Sequence, residues 1–185
     1  MHFIARIEGG ALGQMASRLK DFEGSTSFAG LLNTAGAALR AGTVAAETKQ
    51  THLSGGALER AQKVIPAAAG SLSYTIWSRG GNVRLRYFNA REGGGGVTAD
   101  PWGASTFYPR AFMTSGLAPN RAPAAKLNGQ VYTPVGVKWY GSIQQQRSGL
   151  YIPTEMTRGA TAASFESGAV AAMAFLQSRL AAVLG

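Results

Sequence analysis

Apolar positions recur at intervals of four and three residues through Phe28, Leu32, Ala35, Leu39, Gly42 and Ala46. That spacing draws one stripe along a helix face and predicts a helix over residues 28–51. The stripe is narrow and mostly small, so a partner helix can approach closely; the partner is expected within the same chain. Glu23-Gly24-Ser25-Thr26-Ser27 reads as a break carrying good N-caps. Before it, His2 to Ile7 has the character of a short strand and Ala11 to Asp21 the composition of a helix. A second long helix is predicted in the C-terminal stretch ATAASFESGAVAAMAFLQSRLAAVLG. Phe165, Ala169, Ala172, Leu176, Leu180 and Val183 form its apolar stripe, and Arg179 complements its negative end. Ile152-Pro153-Thr154-Glu155 leads into this helix, which is expected to pack on a sheet.

Between the helices the period changes from three and four to two. Leu72, Tyr74, Ile76 and Ser78 alternate with Ser71, Ser73, Thr75 and Trp77, which predicts a strand. Arg79-Gly80-Gly81-Asn82 follows as a hairpin signal. It leads into NVRLRYFNAR, where Val83, Leu85 and Tyr87 alternate with Arg84, Arg86 and Phe88. Such a strand would cover a core with one face and offer guanidinium groups on the other. Ser54-Gly55-Gly56 breaks the long N-terminal helix, and Ala57 to Val64 reads as one or two further helical turns stopped near Pro66. Gly93 to Gly96 is read as a flexible turn. From about residue 93 to 128 the chain is rich in Gly, Pro and aromatics, so a long loop region is expected. Ser105 to Thr114 holds one edge strand marked by Pro109, and Gly129–Val137 with Lys138–Ile143 supplies the last strands. The predicted fold is therefore α+β: a long N-terminal helix and a C-terminal helix packed on a small antiparallel sheet, with extended loops, in one domain over residues 1–185.

Composition narrows the function. Eighteen Lys and Arg against 9 Asp and Glu give a net charge of +9, a field that attracts polyanions. Only 15% of residues are charged and 25 are Gly, which favours close packing against other protein. There is no cysteine, so disulfides and thiolate chemistry are excluded. The start MHFIARIEGG does not read as a signal peptide, and the apolar run Gly168–Leu176 is far short of the ~18 residues a membrane span needs.

Catalytic chemistry is not expected. The two histidines, His2 and His52, are far apart in sequence, and neither H-E-x-x-H nor a phosphate-binding glycine motif occurs. The nine acids are scattered, and Asp21 with Glu23 reads as a solvated helix end. No catalytic, cofactor-binding or metal site is assigned. The basic set is more informative. Arg79, Arg84, Arg86 and Arg91 cluster around Tyr87 and Phe88, and arginine's fork of donors suits phosphate. They are candidates for phosphate contact, or for a solvated or subunit-contacting strand face. Trp77, Trp102 and Trp139 are read as core or interface anchors.

The order of these segments resembles the minor tail protein Z, or tail-completion (neck), family of tailed bacteriophages and prophages. The resemblance rests on TVAAETK at 43–49, then NVRLRYFNAR, a Gly-rich turn, Val97-Thr98, and Pro109-Arg110-Ala111-Phe112. Its matching positions are Leu85, Phe88, Ala90, Arg91, Gly96, Ala111 and Phe112; GLYIPTEMTRG followed by an apolar helix is similar to the family's C-terminal region. The resemblance implies a virion structural protein at the head–tail junction, assembled in the host cytoplasm. It implies a homo-oligomeric ring, commonly of six subunits, around packaged double-stranded DNA. Its partners would be the head–tail connector and the tail terminator or tail tube proteins, with no membrane. Arg84 and Arg86 are then the first candidates for the DNA channel or a subunit interface, with Arg79 and Arg91 behind them. Two alternatives stand beside it: a tail terminator or other minor tail protein, and a nucleic-acid-binding module without sequence preference.

Overall fold

The computed structural model describes residues 2–8, 25–116, 122–123, 126–137 and 141–184. The predicted helix at 11–21, the acids Asp21 and Glu23, and Trp139 lie outside the described residues.

Two long helices form the spine. Helix α1 spans Ser25–Thr51, three residues earlier than its apolar stripe, and α4 spans Gly159–Leu184. They pack against each other, with Ala29, Leu32 and Ala35 of α1 meeting Ala172 and Leu176 of α4. A Cβ at Gly168 would press on Leu39 Cδ1, so the small stripe does permit close approach. The C-terminal helix therefore buries itself chiefly on α1 rather than on a sheet. Ala172 and Leu176 of its stripe fit against the small residues Ala29 and Ala35 of the facing helix. Phe165 alone among the stripe's aromatic and branched residues reaches the cluster of Tyr74 and Ile76.

The other face of α1 lies on an antiparallel sheet ordered β1-β3-β2, from His2–Glu8, Ser73–Arg79 and Gln62–Ile65. Tyr74 and Ile76 of β3 bury against Leu39, and the Tyr74 ring fills the space a side chain at Gly36 would need. The sheet corrects two expectations. Helix α2 covers only Gly55–Ala61, and Gln62–Ile65 continues as β2. Strand β3 is central, flanked by β1 and β2, and so has no hairpin partner after Asn82.

The basic segment is not a strand. Leu85–Tyr87 is a turn of 3-10 helix. Tyr87 N–H donates to Arg84 O (3.2 Å) and Phe88 N–H to Leu85 O (2.9 Å). Residues three apart eclipse in such a turn, so Leu85 and Phe88 both bury while Tyr87 is exposed. Before the turn, Val83 is tied to the distant chain: its N–H donates to Leu150 O (2.8 Å), and its carbonyl accepts from Ser148 N (3.1 Å).

The predicted loop region is threaded by short strands. Arg91–Gly93 (β4), Gly96–Ala99 (β5) and Thr106–Pro109 (β6) form an antiparallel sheet in chain order, with Pro109 on its edge as expected. Gly94 (φ 61°) and Gly95 (φ 82°) make the two-residue turn between β4 and β5. Positive φ at both positions is the turn that matches strand twist, and glycine adopts it without strain. Thr114–Ser115 (β7) pairs with Ala122–Pro123 (β8), and Tyr132–Pro134 (β9) with Ile143–Gln145 (β10). Leu53, Leu58, Leu85, Phe88, Val97 and Leu150 close the core beneath this half, and Ile152–Glu155 (α3) leads into α4.

Candidate functional site

The four candidate arginines part company. Arg79 ends β3, exposed, with its guanidinium 5.6 Å over the Trp77 ring. Arg84 and Arg86 flank the start of the 3-10 turn and converge on buried Gln130. Turned so that its oxygen faces them, the Gln130 amide accepts from Arg84 Nη1 (3.2 Å) and Arg86 Nη1 (3.0 Å). Arg86 also donates to Asn128 O (2.9 Å) and to Tyr87 Oη (3.0 Å), and lies 4.8 Å over the Tyr87 ring. Its donors are therefore engaged in holding the 126–131 segment, while Arg84 keeps an exposed head. Arg91 opens β4 opposite Thr98, in a different sheet, with Nη2 3.5 Å from Asn89 Oδ1.

Two adjoining clefts gather cations that the sequence left unassigned. One, of about 340 Å³, is lined by Arg60, Asn82, Arg84 and Tyr87 over a floor of Leu53 and Ile152. The other, of about 570 Å³, is lined by Arg60, Lys63, Ile65, Trp77 and Arg79. Arg60, at the end of α2, is common to both, and among the described residues no acid lines either. Among the described residues, Arg60, Lys63, Arg79 and Arg84 have no carboxylate partner; the described ion pair is Arg158 with Glu155. Arg60 and Lys63 escaped the sequence reading because they sit on different elements. Their signal was two cations three residues apart beside the β3 segment.

The resemblance positions fold together. Leu85, Phe88 and Ala111 lie in one buried cluster with Ala90 packed against it. Gly96 has no room for a side chain, because Tyr108 O and the Phe107 ring occupy that space. Phe112 is tilted against Tyr132 with centroids 6.3 Å apart. Their role is packing, and Arg91 alone of the set is exposed.

A second polar cluster is buried under α1. Glu47 Oε2 accepts from Gln62 Nε2 at 2.7 Å, while Glu47 Oε1, Gln62 Oε1, Ser78 Oγ and Arg40 Nε are buried without a partner. Burial pushes the Glu47 carboxyl up to about 7; the Gln62 hydrogen bond pulls it down, and the Glu155 charge pushes it up again. Burial also raises Glu155, but hydrogen bonds from Arg158, Gln50 and Trp102 outweigh it and hold that carboxyl below its usual range. Trp102, exposed, reaches Glu155 through Nε1 (3.3 Å) from a left-handed backbone (φ 54°), and Trp77 is half-buried. His52, exposed just past α1, sits against Gly103. Among the described residues no three His, Asp or Glu side chains gather as metal ligands, and no helix is long and apolar enough to cross a membrane. No protein-family model, curated protein or solved structure matches this chain.

Proposed function

We propose that this chain is a virion structural protein of the head–tail junction, a neck or tail-completion subunit that forms a ring around the DNA channel. The observation that carries the reading is the way the ordered motif folds. Leu85, Phe88, Ala90 and Ala111 make one packed unit, and the same turn that buries Leu85 and Phe88 presents Arg84 at the surface. A ring around DNA needs positive charge toward phosphate and broad contact surfaces toward its neighbours. The β9–β10 hairpin offers such a contact surface, with Val135 55%, Val137 90% and Ile143 46% exposed. Exposed apolar residues in a group are characteristic of protein interfaces.

The test is mass spectrometry of gradient-purified particles, with this chain quantified against the major capsid protein. A fixed low copy number, on the order of one ring per particle, supports the reading. Absence from particles, with the protein recovered on cellular nucleic acid, overturns it in favour of a free nucleic-acid-binding module. That alternative is favoured by the unpaired cations of the two clefts. Because Arg86 holds the 126–131 segment, Arg79→Gln with Arg84→Gln is the cleaner neutralisation for yield and infectivity measurements.

A further inference from the structure

The two clefts joined at Arg60 form one continuous strip across three elements. Arg60 comes from the end of α2, Lys63 from β2, Arg79 from the end of β3, and Arg84 from the segment before the 3-10 turn. Among the described strands β2 is a sheet edge, so Lys63 and exposed Ile65 border its outer backbone groups. We infer that this strip is a binding site for the phosphate backbone of duplex DNA, made by Arg60, Lys63, Arg79 and Arg84.

Three features select that ligand. Among the described residues the cations that line the clefts have no carboxylate partner, so their charge is not spent in ion pairs there. The aromatic rings of the strip are already paired with guanidinium groups, Trp77 with Arg79 and Tyr87 with Arg86. A face covered by arginine is not open to an unpaired base, which argues against the stacking that single strands use. The clefts are shallow and open, and their apolar lining of Leu53, Ala61 and Ile152 carries no polar set that reads base edges. Contact with phosphate alone, without sequence preference, is what remains. The site deepens the neck reading and rests on it only for its biological setting: a free binding module would use the same residues.

The experiment measures anisotropy of a short labelled duplex with the full chain across a salt series. Four phosphate contacts give a log–log salt slope on the order of −3.6. Arg60→Gln, Lys63→Gln and Arg79→Gln together should bring the slope near −0.9, while Arg91→Gln leaves it unchanged. These side chains are exposed, and a melting curve checks that the triple variant is folded. A second measurement needs no variant: bound duplex should slow acylation of Lys63 in the wild-type protein. A folded triple variant with the wild-type slope overturns the site. So does Lys63 labelling that duplex leaves unchanged. Tighter binding of a single strand overturns the duplex assignment, and failure to bind either overturns the proposal. None of these outcomes depends on whether the chain is found in particles.

Discussion

Replacing Glu47 with Gln removes the one interior carboxyl whose charge the fold opposes most. Glu47 is fully buried on α1, holds Gln62 Nε2 through one oxygen, and leaves the other without a partner. Burial, the leading cause, lifts its pKa from 4.5 to about 7. Below 4.5 the group is protonated in both folded and unfolded chains, and its contribution to stability is fully present. Between 4.5 and about 7 the unfolded chain has released the proton while the folded chain retains it. Stability therefore falls as pH rises through that window, and the loss is complete above it. At about 1.4 kcal/mol per pH unit the ceiling is on the order of 3 kcal/mol, and relaxation around the carboxylate brings the expected loss to about 1–2 kcal/mol. Glu155 shifts the opposite way, so its contribution is lost only as pH falls below the ordinary carboxylate range. Glutamine keeps an acceptor for Gln62 and carries no charge. The assay is urea denaturation at constant ionic strength from about pH 5 to about pH 8. Wild type should lose stability across the series, whereas Glu47→Gln should stay nearly flat and exceed wild type at the alkaline end. Parallel curves would refute the reasoning.

Other substitutions test the packing. Gly36→Ala drives a methyl into the Tyr74 ring, so overpacking of about 1–3 kcal/mol should outweigh a helix gain of about 1 kcal/mol; an unchanged melting temperature would contradict this. Leu85→Ala empties a fully buried position in the largest cluster and should cost about 2–5 kcal/mol in denaturant titration. A cost near zero would return residues 83–88 to an exposed strand. Arg40 Nη2 donates to Glu59 O (2.7 Å) and Gln62 O (3.0 Å), clamping the backbone that carries Arg60 and Lys63. Arg40→Lys should speed amide exchange from residue 59 to 65 while sparing α4; uniform acceleration would show a global effect instead.

The long helices were legible because their stripes repeat over many turns, and β3 because seven residues alternate in a β-rich segment. The basic segment misled for a specific reason. Val83, Leu85 and Tyr87 satisfy a period of two, but Leu85 and Phe88 also satisfy a spacing of three, and packing against Val97 and Leu150 selects the latter. Local sequence does not contain that choice, because Leu150 and Ser148 are remote in the chain. The same limit hid the central place of β3, whose neighbours β1 and β2 are set by long-range pairing. The strands after residue 93 are two to four residues long, too short to show a period. In the candidate site, Arg79 and Arg84 were legible as exposed cations, Arg86 was taken up internally, and Arg60 and Lys63 appeared only once β2 folded against β3.

The two polar regions are opposite faces of the same two strands. Toward α1, β2 and β3 present Gln62, Val64, Tyr74, Ile76 and Ser78, and Gln62 binds Glu47. Away from α1, the same strands present Lys63 opposite Trp77, followed by Arg79. Neighbouring residues of a strand point to opposite faces, so the seating of Gln62 inside fixes the direction of Lys63 outside. Arg40 ties both to α1, which packs against α4 through Ala29, Leu32 and Ala35. Arg60, Lys63 and Arg79 are therefore placed by regular elements held through the helix pair and its buried polar contacts, while Arg84 comes from the segment before the 3-10 turn. A site so placed meets a regular phosphate array with little ordering of its own backbone, which lowers the entropic cost of contact.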